Sequence, residues 1–221
     1  MENKTIFFFF SFLLFIGCNS NSKEQKKIIE KYDNGKTKKE IIYLHDKSKT
    51  KEIEYFESGN KQSEIVFLNG KKNGPWTIWY SNGRFQTGEY TNGKIKGVVV
   101  DYDSTGFKHR EILELGDSLT QMIYYHRNGI IQDLSFSING TQCGKWYTWY
   151  DNGMPQIISD SWNGTYIEYH KNGLKKLEYE FTTPRTKENK KFWNQSGQLI
   201  KEEYWDKREL VRAVEHKKNV K

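Results

Sequence analysis

Two cysteines and three prolines in 221 residues set the first limits on this chain. Cys18 and Cys143 could form at most one bridge, so a disulfide framework is excluded and stability has to come from packing. Apolar residues are also few, at 35% of the total, and the one long apolar run lies at the extreme N-terminus. Recognition-helix, zinc-finger and RNP-type patterns are missing, as are glycine-rich phosphate loops, which argues against a nucleic-acid partner and a nucleotide cofactor. Neither sign of charge dominates: 35 Lys and Arg stand against 28 Asp and Glu. That balance reads as a mixed-charge solvated surface. Its densest basic cluster, Lys36, Lys38, Lys39, Lys47, Lys49 and Lys51, is the only segment suggesting an anionic lipid or glycan.

What is abundant points to strands and turns. Aromatic residues reach 15%, with 7 Trp, 14 Tyr and 13 Phe, and there are 18 glycines. Tyr and Trp cover apolar area while keeping a polar tip for water, so a thin aromatic-rich sheet can be stable in a hydrophilic chain.

The N-terminus reads as a targeting segment, residues 1–17. Lys4 precedes an apolar stretch, Ile6 to Ile16, that as a helix would span about 16 Å, too short for a membrane crossing but suited to a secretory signal. Phe15, Ile16, Gly17 and Cys18 then resemble the bacterial lipobox, although Leu and a small residue usually stand where Phe15 and Ile16 do. The resemblance implies cleavage before Cys18 and acylation of its sulfur, with residues 18–27 as a flexible tether. An ordinary signal peptide cut elsewhere is the alternative.

From about residue 28 to 206 the chain repeats. Gly35, Gly59, Gly83, Gly106, Gly129, Gly153, Gly173 and Gly197 are separated by 24, 24, 23, 23, 24, 20 and 24 residues. A second glycine follows within most units, as Gly70, Gly93, Gly116, Gly140 and Gly164, usually after Asn, the pair favoured in tight type I′ turns. Between turns, alternation such as Trp76, Ile78, Tyr80 or Leu177, Tyr179, Phe181 has the period of a half-buried strand. Each unit therefore predicts a β-hairpin, and the whole an all-β, elongated single sheet of successive antiparallel hairpins. The short interval after Gly153 corresponds to a unit lacking the four residues that elsewhere contain Gly74 or Gly144. Asp46 stands where the first unit should have its second glycine. Residues 207–221 read as a charged tail, with Leu210 to Lys221 a short helix or a frayed end.

Two units nearly superpose: Asn69-Gly-Lys-Lys-Asn-Gly-Pro-Trp-Thr-Ile-Trp-Tyr-Ser-Asn-Gly83 and Asn139-Gly-Thr-Gln-Cys-Gly-Lys-Trp-Tyr-Thr-Trp-Tyr-Asp-Asn-Gly153. This pattern resembles the MORN (membrane occupation and recognition nexus) repeat variant found in bacterial proteins labelled YwqK-type antitoxins. The resemblance covers roughly residues 30 to 206 and weakens at both ends. It implies a sheet of stacked hairpins and a binding role.

Residues with catalytic or ligand chemistry are mostly absorbed by the repeat. His126 and His170 follow a tyrosine three residues before a turn glycine and, grouped with Asp33, Ser81 and Asp151, read as turn-entry residues. His45, His109 and His216 have no partner at metal-ligand spacing. Cys143 aligns with Asn73 in a loop, and the paired acids Glu52/Glu54 and Glu202/Glu203 lie on strand-like stretches. No catalytic residue, metal or cofactor is expected. The aromatics stand apart. Trp76 and Trp79, like Trp146 and Trp149, differ by three, so one of each pair faces outward, as a binding ladder or as cover for a neighbouring hairpin.

These readings converge on a non-catalytic, lipid-anchored scaffold in the bacterial cell envelope, periplasmic or outer face, that binds a protein or an envelope polymer. A YwqK-like antitoxin silencing a partner is the second reading, and an envelope glycan hydrolase the third.

Overall fold

The computed structural model describes residues 25–43, 49–116, 118–182 and 187–216, and among them there are eighteen strands and no helix. β1 (Gln25–Lys31) pairs with β2 (Thr37–Tyr43), and the succession runs through β3 (Lys49–Tyr55), β4 (Lys61–Leu68), β5 (Lys71–Trp79), β6 (Phe85–Thr91), β7 (Lys94–Tyr102), β8 (Lys108–Gly116), β9 (Leu119–Tyr125) and β10 (Ile131–Ile138). β10 then meets an interrupted strand, β11 (Thr141–Gln142) and β12 (Lys145–Trp149). The array ends with β13 (Pro155–Asp160), β14 (Thr165–Tyr169), β15 (Lys175–Phe181), β16 (Lys187–Trp193), β17 (Leu199–Asp206) and β18 (Glu209–Glu215). Each pairing is antiparallel and joins neighbours in the chain, so the sheet is the open hairpin array expected, with β1 and β18 at its edges. At about 4.8 Å per strand it is about 80 Å long.

One row of directly paired residues crosses the whole sheet without a break. It starts at Ile28 and Glu40, passes Ile53, Glu64 and Thr77, and ends at Lys191, Glu202 and Val214. A single layer cannot enclose a core: among the described apolar residues only Ile53, Val66 and Trp76 are buried. Cross-strand pairs and contacts between units hold the array instead.

The turns fall into two classes. At all eight glycines of the main series, the glycine N–H donates to the carbonyl three residues earlier, as Gly35 to Tyr32 at 2.9 Å and Gly173 to His170 at 2.8 Å. Only the glycine has positive φ there, so these are type I turns closed by a left-handed glycine. The opposite sheet edge carries the type I′ turns expected for Asn-Gly. Asn69 and Gly70 have φ of 50° and 75°, and Asn92 with Gly93 and Asn139 with Gly140 match them.

Four expectations need correction. The sheet begins at Gln25, inside the expected tether. It also continues past residue 206, because Lys207 and Arg208 adopt φ of 47° and 71° and make a tight turn without glycine. The following segment pairs antiparallel with β17 as β18 rather than forming a helix or frayed end. Gly164 is not the second residue of a tight Asn-Gly turn but the last residue of the four-residue loop between β13 and β14. Its carbonyl accepts from Phe181 N–H at 2.7 Å as that of Gly144 accepts from Ser161 N–H at 3.0 Å, so it is the counterpart of Gly144 and the Asn-Gly arm is what the short unit lacks. His126 and His170 align with Tyr32, Tyr80 and Tyr150, not with Asp33, Ser81 and Asp151, because each accepts the turn glycine's N–H on its own carbonyl. Asp46 and His45 lie outside the described residues.

Candidate binding surface

Directly paired residues share a face of the sheet. A row from Ile78 through Gln86, Asp101, Arg110, Tyr124 and Asp133 to Thr148 therefore puts Trp76 and Trp146 on one face, and their partners three residues on face the other way. We call these the Trp76 face and the Trp79 face.

The four tryptophans differ in availability. Trp76 is 5% exposed. Its ring fills the space above its cross-strand partner Gly88, where a Cβ would lie 2.7 Å from it, and Tyr90 packs 5.7 Å away between ring centres. It is cover for the neighbouring hairpin and leaves the candidate surface. Trp79 is half-buried under Lys61, whose Nζ sits 5.8 Å from the ring centre. Trp149 lies near-parallel to Tyr147 at 6.0 Å. Trp146 is half-buried and donates its indole N–H to Asp133 Oδ2.

Trp146 thereby joins a polar network at the centre of the Trp76 face. Asp101, only 2% exposed, accepts on Oδ2 from Arg110 Nε at 2.7 Å and from a second nitrogen of the same guanidinium. Arg110 Nη1 donates to the Tyr124 hydroxyl at 3.3 Å, and the His109 ring meets Tyr124 edge-on at 5.7 Å. Asp133 Oδ1 accepts from Ser135 Oγ at 2.9 Å. Shallow grooves run along this network, one past Gln86, Asp101 and Arg110, the other past Met122, Tyr124, Asp133 and Trp146. Asp101 Oδ1 and Thr148 Oγ1 are buried with no hydrogen-bond partner among the described residues. The arrangement offers flat rings beside fixed donors and acceptors, the chemistry of polar recognition.

The Trp79 face carries a repeated triad that sequence reading missed. Lys61 pairs with Glu64 at 2.6 Å beside Trp79, Lys108 with Glu111 at 2.8 Å beside Tyr125, and Lys175 with Glu178 at 3.0 Å beside Trp193. Burial works to raise the Glu64 and Glu111 carboxyls, and the adjacent lysines overcome it, holding both below the usual range. The signal was present: a lysine two residues after a turn glycine, a glutamate three later and an aromatic ring 17 or 18 residues beyond the lysine. These rings are capped from within the chain.

Among the described residues the most exposed large aromatic is one not singled out from sequence. Trp162 is 71% exposed. It stands on the loop that replaces the missing arm, and buried Asp160 locks that loop by accepting from Trp162 N–H at 3.0 Å, Asn163 N–H at 3.1 Å and Asn163 Nδ2 at 2.7 Å. Ser161 Oγ adds a bond to the Gly144 carbonyl at 3.1 Å, and the Trp162 ring lies over Gly144. The interval of 20 residues was its signature.

Of the remaining candidates, Cys143 is a half-buried free thiol and His216 Nε2 lies 2.8 Å from Glu202. No group of three metal-ligating side chains occurs among the described residues. Cys18 lies outside the described residues. No family model and no curated protein matches the chain.

Proposed function

We propose that this chain is a non-catalytic binding scaffold of MORN-like repeats, anchored in the bacterial envelope by a lipid on Cys18. Its partner, a protein or an envelope polymer, would be held by Trp162 and by the Trp76 face between β6 and β12. The observation that carries the reading is Trp162: a tryptophan 71% exposed on a loop held by a buried carboxylate is costly to present to water and well suited to a partner. A rigid loop also loses little entropy on binding. The network around Tyr124 and Trp146 lies on the same repeat array and would supply directional hydrogen bonds to the same ligand. A lipid would fix where this surface operates, and two or more acyl chains make such attachment stable.

Affinity purification of the lipidated protein from its own envelope, followed by mass spectrometry, tests the reading. Trp162→Ala is expected to reduce partner recovery by about tenfold or more, and Trp146→Ala by less, with circular dichroism unchanged. Cys18→Ser is expected to move the protein to the soluble fraction. Undiminished recovery by both tryptophan variants would refute the binding surface, and unchanged membrane association of the serine variant would refute the anchor.

A further inference from the structure

At four places an aromatic donor bonds a carboxylate that also holds a base. Tyr55 donates to Glu40, which pairs with Lys26, and Tyr125 donates to Glu111, which pairs with Lys108. Tyr204 donates to Glu202, which meets His216, and Trp205 donates to Glu203, which pairs with Lys201. The ring is covered as well in two of them: Lys108 Nζ lies 3.9 Å from the Tyr125 ring centre and Lys190 Nζ 4.6 Å from that of Trp205. Trp146 and Asp133 make a fifth such pair, and there the base is missing. Asp133 is half-buried and takes only neutral donors, the Trp146 indole N–H and Ser135 Oγ. Among the described residues no base pairs with this carboxylate and no cation lies over the Trp146 ring.

The groove at this pair has the charge to take a cation. Gln132 and Gln142 add amide oxygens beside Asp133, Met122 and Trp146 give apolar wall, and His109 is the one basic side chain that lines it. Arg110, on the same face, is committed to Asp101 and lies over the Tyr124 ring at 5.6 Å. Asp133 therefore leaves an unneutralised negative charge here, in a chain whose formal net charge is +7. An opposite charge within reach favours the ionised carboxylate, and an uncovered indole face beside it adds cation–π attraction.

We propose that this groove takes a lysine side chain of a protein partner, its ammonium on Asp133 and its stem along the Trp146 ring. The protein's own triads are the template, since Lys61, Lys108 and Lys175 each meet an acid and a ring in this way. Lysine suits the arrangement because its flexible stem covers a ring while the compact ammonium reaches a single oxygen. Each carboxylate oxygen has two acceptor positions, so Asp133 can receive the ammonium without releasing Trp146 or Ser135. The inference rests on the binding role proposed for the Trp76 face and names what that face recognises.

The test follows the indole N–H resonance of Trp146 in the isotope-labelled full chain in detergent micelles, identified by its loss in Trp146→Phe. Titration with a short peptide carrying one lysine between glycines is expected to shift that resonance with dose. The same peptide acetylated on Nζ keeps the stem and loses the charge, and it should give no shift. Asp133→Asn is expected to weaken the lysine peptide by about tenfold or more, with circular dichroism unchanged. The acetylated peptide is compared on the parent protein, so the test survives a variant that fails to fold. Equal shifts from the charged and acetylated peptides, no shift from either, or a response to a glucosamine oligomer in place of the lysine peptide each overturn the proposal. Trp162→Ala reports on the binding surface separately. If that variant still loses the partner, any of these results removes the lysine site and leaves the broader reading in place.

Discussion

His126 Nε2 lies 2.8 Å from the carbonyl oxygen of Trp149, twenty-three residues further along the chain. A carbonyl only accepts, so the imidazole must carry its proton on Nε2. The same clamp recurs between other units, with tyrosine or histidine as donor: Tyr32 hydroxyl to the Tyr55 carbonyl at 2.6 Å, Tyr150 to Tyr169 at 2.8 Å, and His170 to Trp193 at 3.0 Å. Asparagines two residues on make a parallel set, Asn128 Nδ2 reaching the Asp151 carbonyl at 2.5 Å and Asn172 Nδ2 the Gln195 carbonyl at 2.8 Å. With so little apolar burial, these turn-to-turn hydrogen bonds along one sheet edge reinforce, at four junctions, the strand ladders that couple one hairpin to the next.

Removing one clamp should therefore loosen a junction and leave the hairpins intact. His126→Ala is expected to cost about 1 kcal/mol, the net worth of one side-chain hydrogen bond. His126→Tyr, which imports the donor used in other units, should recover most of it. Urea unfolding measures both, and an alanine variant as stable as the parent would remove the clamp from the account.

Trp76 and Gly88 offer a sharper steric test. Gly88 is not at a positive φ, so its backbone accepts alanine, but the new methyl would lie 2.7 Å from the indole. Gly88→Ala is expected to destabilise by about 1–3 kcal/mol, the range for overpacking a close contact. Combining it with Trp76→Phe should cost less than the sum of the separate changes, because the smaller ring vacates the space the methyl needs. Additive losses would show that Trp76 does not lie over Gly88.

This pair also shows how far the fold was legible in the sequence. The period of two dozen residues, the hairpin unit and the positive φ of both residues in Asn69-Gly70 followed from spacing and turn chemistry alone. The Trp76/Trp79 spacing placed the two rings on opposite faces but could not say which was covered. That is decided by Gly88, a glycine outside both turn series, whose missing side chain opens the slot. Gly164 was misassigned for a related reason: a deletion leaves a glycine in place while changing the bond it makes. The Trp162 loop followed from that deletion, and the interval of 20 marked where to look. β18 escaped notice because its turn uses Lys207 and Arg208, residues that carry no turn signature.

Asp101 tests what a buried charge contributes in a sheet one layer thick. Its Oδ2 is held by Arg110 while Oδ1 has no hydrogen-bond partner among the described residues, so the pair is only half satisfied. Asp101→Ala frees Arg110, which is already partly exposed and can hydrate, and the expected loss is about 1–3 kcal/mol. Asp101→Asn keeps an acceptor for the guanidinium and should lose less. Equilibrium unfolding decides the sign: an alanine variant at least as stable as the parent would mean that desolvating the carboxylate cancels the ion pair.

Tyr55 predicts an alkaline limit to stability. Burial, followed by its 2.6 Å hydrogen bond to Glu40 and the charge of that carboxylate, pushes the phenol up to about 12. The folded state thus holds this proton more tightly than the unfolded chain, where a tyrosine titrates near 10. A group with a raised folded pKa contributes stability that is complete below the unfolded value and is lost as pH rises through the folded one. Between about pH 10 and 12 the protein should therefore weaken beyond what its other tyrosines cause, as a phenolate forms against buried Glu40. Tyr55→Phe cannot titrate. It gives up the bond to Glu40, so it should be less stable than the parent near neutrality and show a shallower decline over the alkaline window. Unfolding curves for parent and variant at several pH values give both slopes, and parallel slopes would mean that Tyr55 titrates as it does in the unfolded chain.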